Sequence, residues 1–154
     1  MYRVLRDDES ASDGLVAKKP NAKITVVQHV NGTIASQFIS TTADYVSATK
    51  FADCAMQYNK RILLPQTSFT IVRVDMSKLI VDVPRIKIID LSNRDVLNKW
   101  LPPTEATCGI GYARARKYAT EYQEVLIKGR IPNDCIEIVA QISSSVGIYL
   151  CMGP

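Results

Sequence analysis

The sequence predicts an α+β fold in which most strands are antiparallel. Segments rich in β-branched residues outnumber segments with helical periodicity. Helices and strands do not alternate strictly along the chain, and this disfavours a doubly wound parallel sheet. The chain has 154 residues, of which 47% are hydrophobic. One ordinary core and a single domain over residues 1–154 are therefore expected.

The first half of the chain is predicted to hold two strands and one long helix. Residues 1–5 form a short strand, and Gly and Pro indicate a loop over 13–23. A strand over 37–41 leads into a helix that ends near residue 58, with Thr41 or Thr42 as its N-cap. Apolar or small residues recur on this helix every three or four positions, which indicates an amphipathic helix lying on a sheet: Tyr45, Ala48, Ala52, Ala55 and Asn59.

The second half is predicted to consist mainly of strands. Residues 68–74 and 86–91 are rich in β-branched residues, and a short helix follows from an N-cap at Ser92 to near Trp100. Residues 104–120 lack clear periodicity and are expected to form a long loop, a feature that is often functional. Three further strands are expected over 122–128, 135–142 and 146–151.

Composition and spacing disfavour several classes of function. The net charge of +4 comes from 19 scattered Lys and Arg residues, with no concentrated basic stripe. Four cysteines without a CxxC pair, beside a single histidine, do not suit a structural zinc site, and no metal is expected. Whether the thiols pair stays open. No apolar run reaches the roughly 18 residues of a membrane span, and the polar N-terminus is unlike a signal peptide.

Three polar residues on predicted strands stand out by their order. Arg3 follows Met1 and Tyr2, Ser40 lies in Phe-Ile-Ser-Thr-Thr before the long helix, and Glu124 begins Glu-Val-Leu-Ile. A His-Val-Asn-Gly-Thr segment precedes the serine strand, and Gly-Arg-Ile-Pro follows the glutamate strand. Together these motifs resemble the Arg–Ser–Glu class of mono-ADP-ribosyltransferases, to which cholera toxin and the heat-labile enterotoxins belong.

The resemblance implies a catalytic domain with two packed, mostly antiparallel sheets and flanking helices, and NAD as substrate. Glu124 would stabilise the positive charge on the ribose as nicotinamide leaves, as in glycoside hydrolysis. Ser40 would orient that carboxylate. Arg3 would hold the pyrophosphate bidentately. The remaining NAD contacts implied are His29, Thr41 and Phe51.

The resemblance leaves the acceptor of the ADP-ribose open. Tyr122 lies two residues before Glu124, where arginine-modifying members of the class carry Glu or Gln, so arginine as the acceptor is in doubt. Tyr112, Tyr118 and Tyr122 are the expected acceptor contacts, with a protein as first choice and nucleic acid still possible. The alternatives are an NAD glycohydrolase that uses water and a catalytically silent copy that binds a nucleotide or protein. Many members of the class are secreted toxins or effectors that act in another cell.

Overall fold

A computed structural model describes residues 1–32, 34–61, 68–103 and 109–143. Within these ranges the strands and α-helices are β1 (Tyr2–Val4), β2 (Leu15–Val16), α1 (Val26–Val30), β3 (Phe38–Thr42), α2 (Tyr45–Arg61), β4 (Ser68–Val74), α3 (Met76–Asp82), β5 (Lys87–Asp90), α4 (Arg94–Trp100), α5 (Gly109–Glu121), β6 (Glu124–Lys128), β7 (Arg130–Ile131) and β8 (Ile136–Ser143). Short 3₁₀ turns occupy Ala11–Asp13 and Asn133–Cys135.

The described strands form one antiparallel sheet of six strands and a small second sheet. The order in the large sheet is β5-β6-β3-β1-β4-β8, and each neighbouring pair is antiparallel. The second sheet pairs β2 with β7. The α+β prediction with mostly antiparallel strands is confirmed at this level.

The register between β3 and β6 separates two hydrophobic clusters. Ile39 pairs with Ile127 on one face of the sheet, and Phe38 and Leu126 lie on the other, because successive side chains alternate between faces. Ile39 and Ile127 belong to a cluster with the small sheet, whereas Phe38 and Leu126 pack with residues of α1, α4 and α5. Both faces of these central strands are therefore covered.

Helix α2 forms where the spacing predicts it, but its cap and part of its buried face differ. Asp44, not Thr41 or Thr42, caps the helix, because its carboxylate accepts the Ser47 N–H at 2.9 Å. Ser47 and its neighbours lower the pKa of the Asp44 carboxyl through hydrogen bonds. Both threonines are buried in β3. Ala48 and Ala52 are buried as predicted, whereas Tyr45 is exposed.

The predicted loop over 104–120 is wrong for residues 109–120, which belong to α5, and its first part, 104–108, lies outside the described residues. The buried residues of α5, Ala115 and Ala119, are four apart and small, so they form a narrow apolar stripe on a polar helix. The expected strand over 122–128 begins later, at Glu124, because α5 continues to residue 121 and Gln123 has a left-handed φ of 49°.

Smaller differences concern short elements. The prediction of loop over 13–23 missed β2, and α1 and α3 were not predicted. The N-cap of α4 is Asn93 instead of Ser92, since its side-chain oxygen accepts the Asp95 and Val96 N–H groups. The expected strand over 146–151 lies outside the described residues. Among the described helices, none has the length and apolar character needed to cross a membrane.

Candidate active site

A cavity of about 440 Å³ opens on the sheet face that carries α1 and α5. It is lined by eight of the nine site residues predicted from the sequence, brought together from distant segments: Arg3, His29, Ser40, Thr41, Phe51, Tyr118, Tyr122 and Glu124. Tyr112 lies on α5 and is not part of the described lining.

Ser40 and Glu124 meet because of the β3–β6 register. Glu124 pairs with Thr42, so Ser40 lies diagonally from it on the same face of the sheet. The Ser40 hydroxyl donates a hydrogen bond of 2.9 Å to Glu124 Oε1. The carboxylate side chain is only 14% exposed, and this exposure is toward the cavity. Burial raises the pKa of Glu124 to about 7, against the opposing effect of the Ser40 hydrogen bond.

His29 is held beside both Ser40 and Glu124 by the short helix α1, with Nε2 3.9 Å from Glu124 Oε1. Thr25 and Gln28 form a capping box that starts this helix. The imidazole Nε2 lies 2.8 Å from Ser40 Oγ, and Nδ1 lies 2.5 Å from Ser36 Oγ. Burial, and then the nearby Arg3 charge, lower the pKa of His29 to about 4, so the ring is neutral at physiological pH.

Arg3 is held in place by a partner that the sequence analysis did not identify. Its Nε and Nη2 donate to the two oxygens of Glu9 at 3.0 and 2.9 Å, and Nη1 donates to the Ser40 carbonyl. Arg3 is 7% and Glu9 4% exposed. Arg6 also pairs with Glu9 at 2.9 Å. Because a guanidinium has five N–H groups, two of those on Arg3 make no hydrogen bond to the described residues and can bind a ligand.

An aromatic wall, formed by Phe51, Tyr118 and Tyr122, lines another side of the cavity. Phe51 packs edge-on against Tyr122 at 5.6 Å between ring centroids, and Tyr118 stacks on Tyr122 at 6.5 Å. Two cations lie over these rings: Lys50 over Tyr122 at 5.8 Å and Arg114 over Tyr118 at 5.3 Å. Burial, followed by contacts with Cys54, raises the pKa of Tyr122 to about 12, so its hydroxyl stays protonated.

Thr41 and Glu121 make contacts within the protein. Thr41 is among the lining residues, but strand alternation places its side chain on the face opposite Ser40, and its hydroxyl donates to the Val125 carbonyl at 2.8 Å. Glu121 ends α5, and its carboxylate pairs with Lys50 at 3.0 Å.

A separate group of potential metal ligands occurs away from the cavity lining. Oxygen or sulfur atoms of Asp82, Asp134 and Cys135 lie within 4.8 Å of one another. The Lys78 ammonium lies 2.9 Å from Asp134 Oδ2, so a cation of the protein itself already neutralises part of this group. Cys54 and Cys135 are both free thiols, the first exposed and the second buried.

The cavity therefore combines a buried carboxylate, a neutral histidine, an arginine with two N–H groups that no described residue accepts, and an aromatic wall. Such a set suits a substrate with an anionic part and a centre that becomes positive during reaction. A scan of family models found no match to this chain, and no curated protein matches it.

Proposed function

We propose that this chain is a mono-ADP-ribosyltransferase domain that cleaves the nicotinamide–ribose bond of NAD and transfers ADP-ribose to a macromolecule. One observation carries the proposal: Arg3, Ser40 and Glu124, named from three separate motifs, line one cavity and are linked through hydrogen bonds at Ser40. A chance resemblance in sequence would not require the three side chains to meet. The class includes secreted toxins and effectors, so action in the cytosol of a target cell belongs to the same proposal.

Glu124 supplies the electrostatic part of the proposed reaction. As the glycosidic C–N bond breaks, nicotinamide leaves as a neutral molecule with the bonding electrons, and positive charge develops on the ribose. A fixed carboxylate at low exposure stabilises that charge more strongly than one in water. The Ser40 hydroxyl donates to Oε1 of Glu124, so the second oxygen, Oε2, can accept a hydrogen bond from a ribose hydroxyl.

Arg3 supplies the binding part. Glu9 and the Ser40 carbonyl hold the guanidinium from two sides, which leaves one N–H on each terminal nitrogen. Two such donors in a fixed fork match two phosphate oxygens, as a lysine ammonium does not. The pyrophosphate of NAD would therefore bind beside Ser40 and place the ribose next to Glu124.

The aromatic wall and the two cations over it best fit an acceptor on a neutral or acidic protein surface. Tyr122, with its pKa near 12, is unsuited to act as a base toward a nucleophile. Lys50 and Arg114 lie over the rings that would otherwise attract a cationic side chain, so a positively charged acceptor is repelled. The two cations could also contact nucleic acid, which stays a second possibility.

Hydrolysis of NAD is the alternative reaction. The carboxylate nearest Tyr122 in sequence, Glu121, pairs with Lys50 on α5 instead of remaining free to engage an acceptor. Water could then attack the ribose in place of a macromolecule, and the proton it releases would pass to Glu124. A catalytically silent copy of the domain would bind its ligand without cleaving it.

Incubation with NAD that carries one label on adenosine and another on nicotinamide separates transfer, hydrolysis and binding without cleavage. The wild type, Glu124→Gln and the matched control Glu121→Gln are each mixed with NAD, with and without cell lysate. Label from adenosine in a macromolecule, lost only in Glu124→Gln, supports transfer. Free ADP-ribose without lysate supports hydrolysis. Absence of nicotinamide release by the wild type in every mixture would contradict both enzymatic functions and leave the silent copy.

The identity of the residue at position 122 can be tested in the same assay. If this position selects the acceptor, Tyr122→Glu should increase labelling of an arginine-rich peptide, because a carboxylate attracts the guanidinium. Tyr122→Gln, which lacks the charge, is the matched control. Equal labelling by the wild type and both variants would show that other parts of the cavity select the acceptor.

A further inference from the structure

We propose that Ser36 is a positioning residue that fixes the ring of His29, so that a directional chain of hydrogen bonds runs from the Phe38 amide through Ser36, His29 and Ser40 to Glu124. The catalytic consequence rests on the proposed function, whereas the protonation pattern of the ring does not. Ser36 is 3% exposed and lies outside the cavity lining, so its role is indirect.

The direction of the chain is set at its Glu124 end, and the Phe38 end is compatible with it. At one end, the backbone N–H of Phe38 can only donate, and it lies 3.2 Å from Ser36 Oγ. The Ser36 hydroxyl proton is then available for His29 Nδ1, at 2.5 Å. At the other end, an ionised Glu124 can only accept, so Ser40 donates its one proton there. His29 Nε2 must therefore carry the ring proton and donate it to Ser40 Oγ, at 2.8 Å. The Glu124 end requires this tautomer, and the Phe38 end is compatible with it.

The position of Ser36 relative to α1 is itself held by the backbone. The Lys19 N–H donates to the Ser36 carbonyl at 3.1 Å. The side-chain amide of Gln37 makes two hydrogen bonds with the backbone of Ile24, just before α1, at 2.8 and 3.1 Å. The Phe38 ring packs edge-on against the imidazole at 5.4 Å. These contacts keep the serine hydroxyl in line with Nδ1.

Burial is the main reason that the pKa of His29 is lowered and the ring stays neutral, against the Glu124 carboxylate, whose Oε1 lies 3.9 Å from Nε2. Ser36 is an uncharged partner for Nδ1, unlike the carboxylate that often raises the basicity of a catalytic histidine. The Arg3 guanidinium is the second cause, because it disfavours another positive charge nearby. The titratable or charged side chains that face the cavity from the packed elements are Tyr2, Arg3, His29, Arg114, Tyr118, Tyr122 and Glu124.

Loss of the Ser36 hydroxyl should change the pKa of Glu124 and not the affinity for substrate. A ring that donates to Ser40 polarises its hydroxyl and strengthens the Ser40 hydrogen bond, which favours the ionised form of Glu124. Loss of the Ser36 hydroxyl frees the ring to rotate or change tautomer. The pKa of Glu124 should then rise further, and the catalytic step should slow.

The single histidine of the chain makes a direct measurement possible. Nitrogen-15 NMR of the imidazole at pH 8.5 should show a protonated Nε2 and an unprotonated, hydrogen-bonded Nδ1. In Ser36→Ala the Nδ1 resonance should move toward that of an unbonded nitrogen, and Ser36→Thr, which keeps a hydroxyl, should restore it. Ser92→Ala, which removes a partly buried hydroxyl bonded to Asp90 at 2.5 Å, should leave the signal unchanged. A proton on Nδ1 in the wild type would overturn the proposal.

Kinetics provide the second readout. Ser36→Ala should lower kcat for nicotinamide release about tenfold, the rate equivalent of one lost hydrogen bond, with little change in KM for NAD. In the pH profile of kcat, the acidic limb should move to higher pH in Ser36→Ala. Ser36→Thr should recover both the wild-type kcat and the wild-type position of this limb. An unchanged acidic limb together with an unchanged Nδ1 signal would refute the role of Ser36. If Ser36→Ala does not fold, the wild-type and Ser36→Thr spectra still decide the tautomer. If the wild type releases no nicotinamide, the proposed function fails while the NMR test stands.

Discussion

Replacement of Glu124 by glutamine should stabilise the protein at alkaline pH and leave it unchanged at acidic pH. Burial raises the pKa of Glu124 from an ordinary value of 4.5 to about 7. The folded state therefore holds the proton more tightly than the unfolded chain between these two pH values. Stability is lost as pH rises through this window, and the loss persists above it.

The size of the effect follows from the same two values. At 1.36 kcal/mol per pKa unit, the rise from 4.5 to about 7 corresponds to about 3 kcal/mol. Glutamine has nearly the same shape, is neutral at every pH and can still accept the Ser40 hydrogen bond. Glu124→Gln should thus be about 3 kcal/mol more stable than the wild type at pH 8.5.

Urea unfolding of the wild type and Glu124→Gln at pH 4, below this window, and at pH 8.5, above it, measures this difference. Subtraction of the wild-type value at each pH removes the contributions of the other titrating groups. Glu137→Gln is the matched control, because that carboxylate is 60% exposed and its loss should change the free energy of unfolding by less than about 0.5 kcal/mol. A Glu124→Gln variant that is less stable than the wild type at pH 8.5 would refute the reasoning, since the site would then favour the carboxylate.

Three further predictions use other contacts. If Glu124 acts as an ion, kcat/KM for nicotinamide release should rise with pH and level off above about 7; a flat profile between pH 6 and 8 would contradict this role. Glu9→Ala should cost about 3 kcal/mol in urea unfolding, because it leaves a buried arginine without its partner, whereas Asp8→Ala, at a 60% exposed position, should change stability little. Equal effects of these two changes would mean that the Glu9 pair is not buried in solution. Asn93→Ala should cost about 1 kcal/mol through loss of the α4 cap, measured against the exposed Asn21→Ala; no difference between them would argue against the cap.

Strand β4 and helix α2 were predictable because residue type and apolar spacing within each segment indicate its structure. β-branched residues over 68–74 predicted β4 with its observed bounds, and the apolar spacing after Thr42 predicted α2. Helix α5 was missed because its buried stripe consists of Ala115 and Ala119, whose small side chains give a weak periodic signal among polar neighbours. That miss also gave Tyr122 a place on a strand, whereas it follows the end of α5.

The sequence by itself determined the α+β class and the residue types of the candidate site. Arg3, Ser40 and Glu124 could be named because each lies in a motif of adjacent residues. Their partners could not be named in this way. Glu9 belongs to a run of charges that looks like ordinary surface, and Ser36 lies in no motif.

Only the tertiary structure decided which side chains meet and how they ionise. The β3–β6 register brings Ser40 to Glu124 across 84 positions of the chain, and burial of the same carboxylate raises its pKa. A hydrogen bond requires atoms within about 3 Å and in the correct orientation. Desolvation depends on everything packed around a group. Both properties arise only when distant segments come together, so no local pattern contains them.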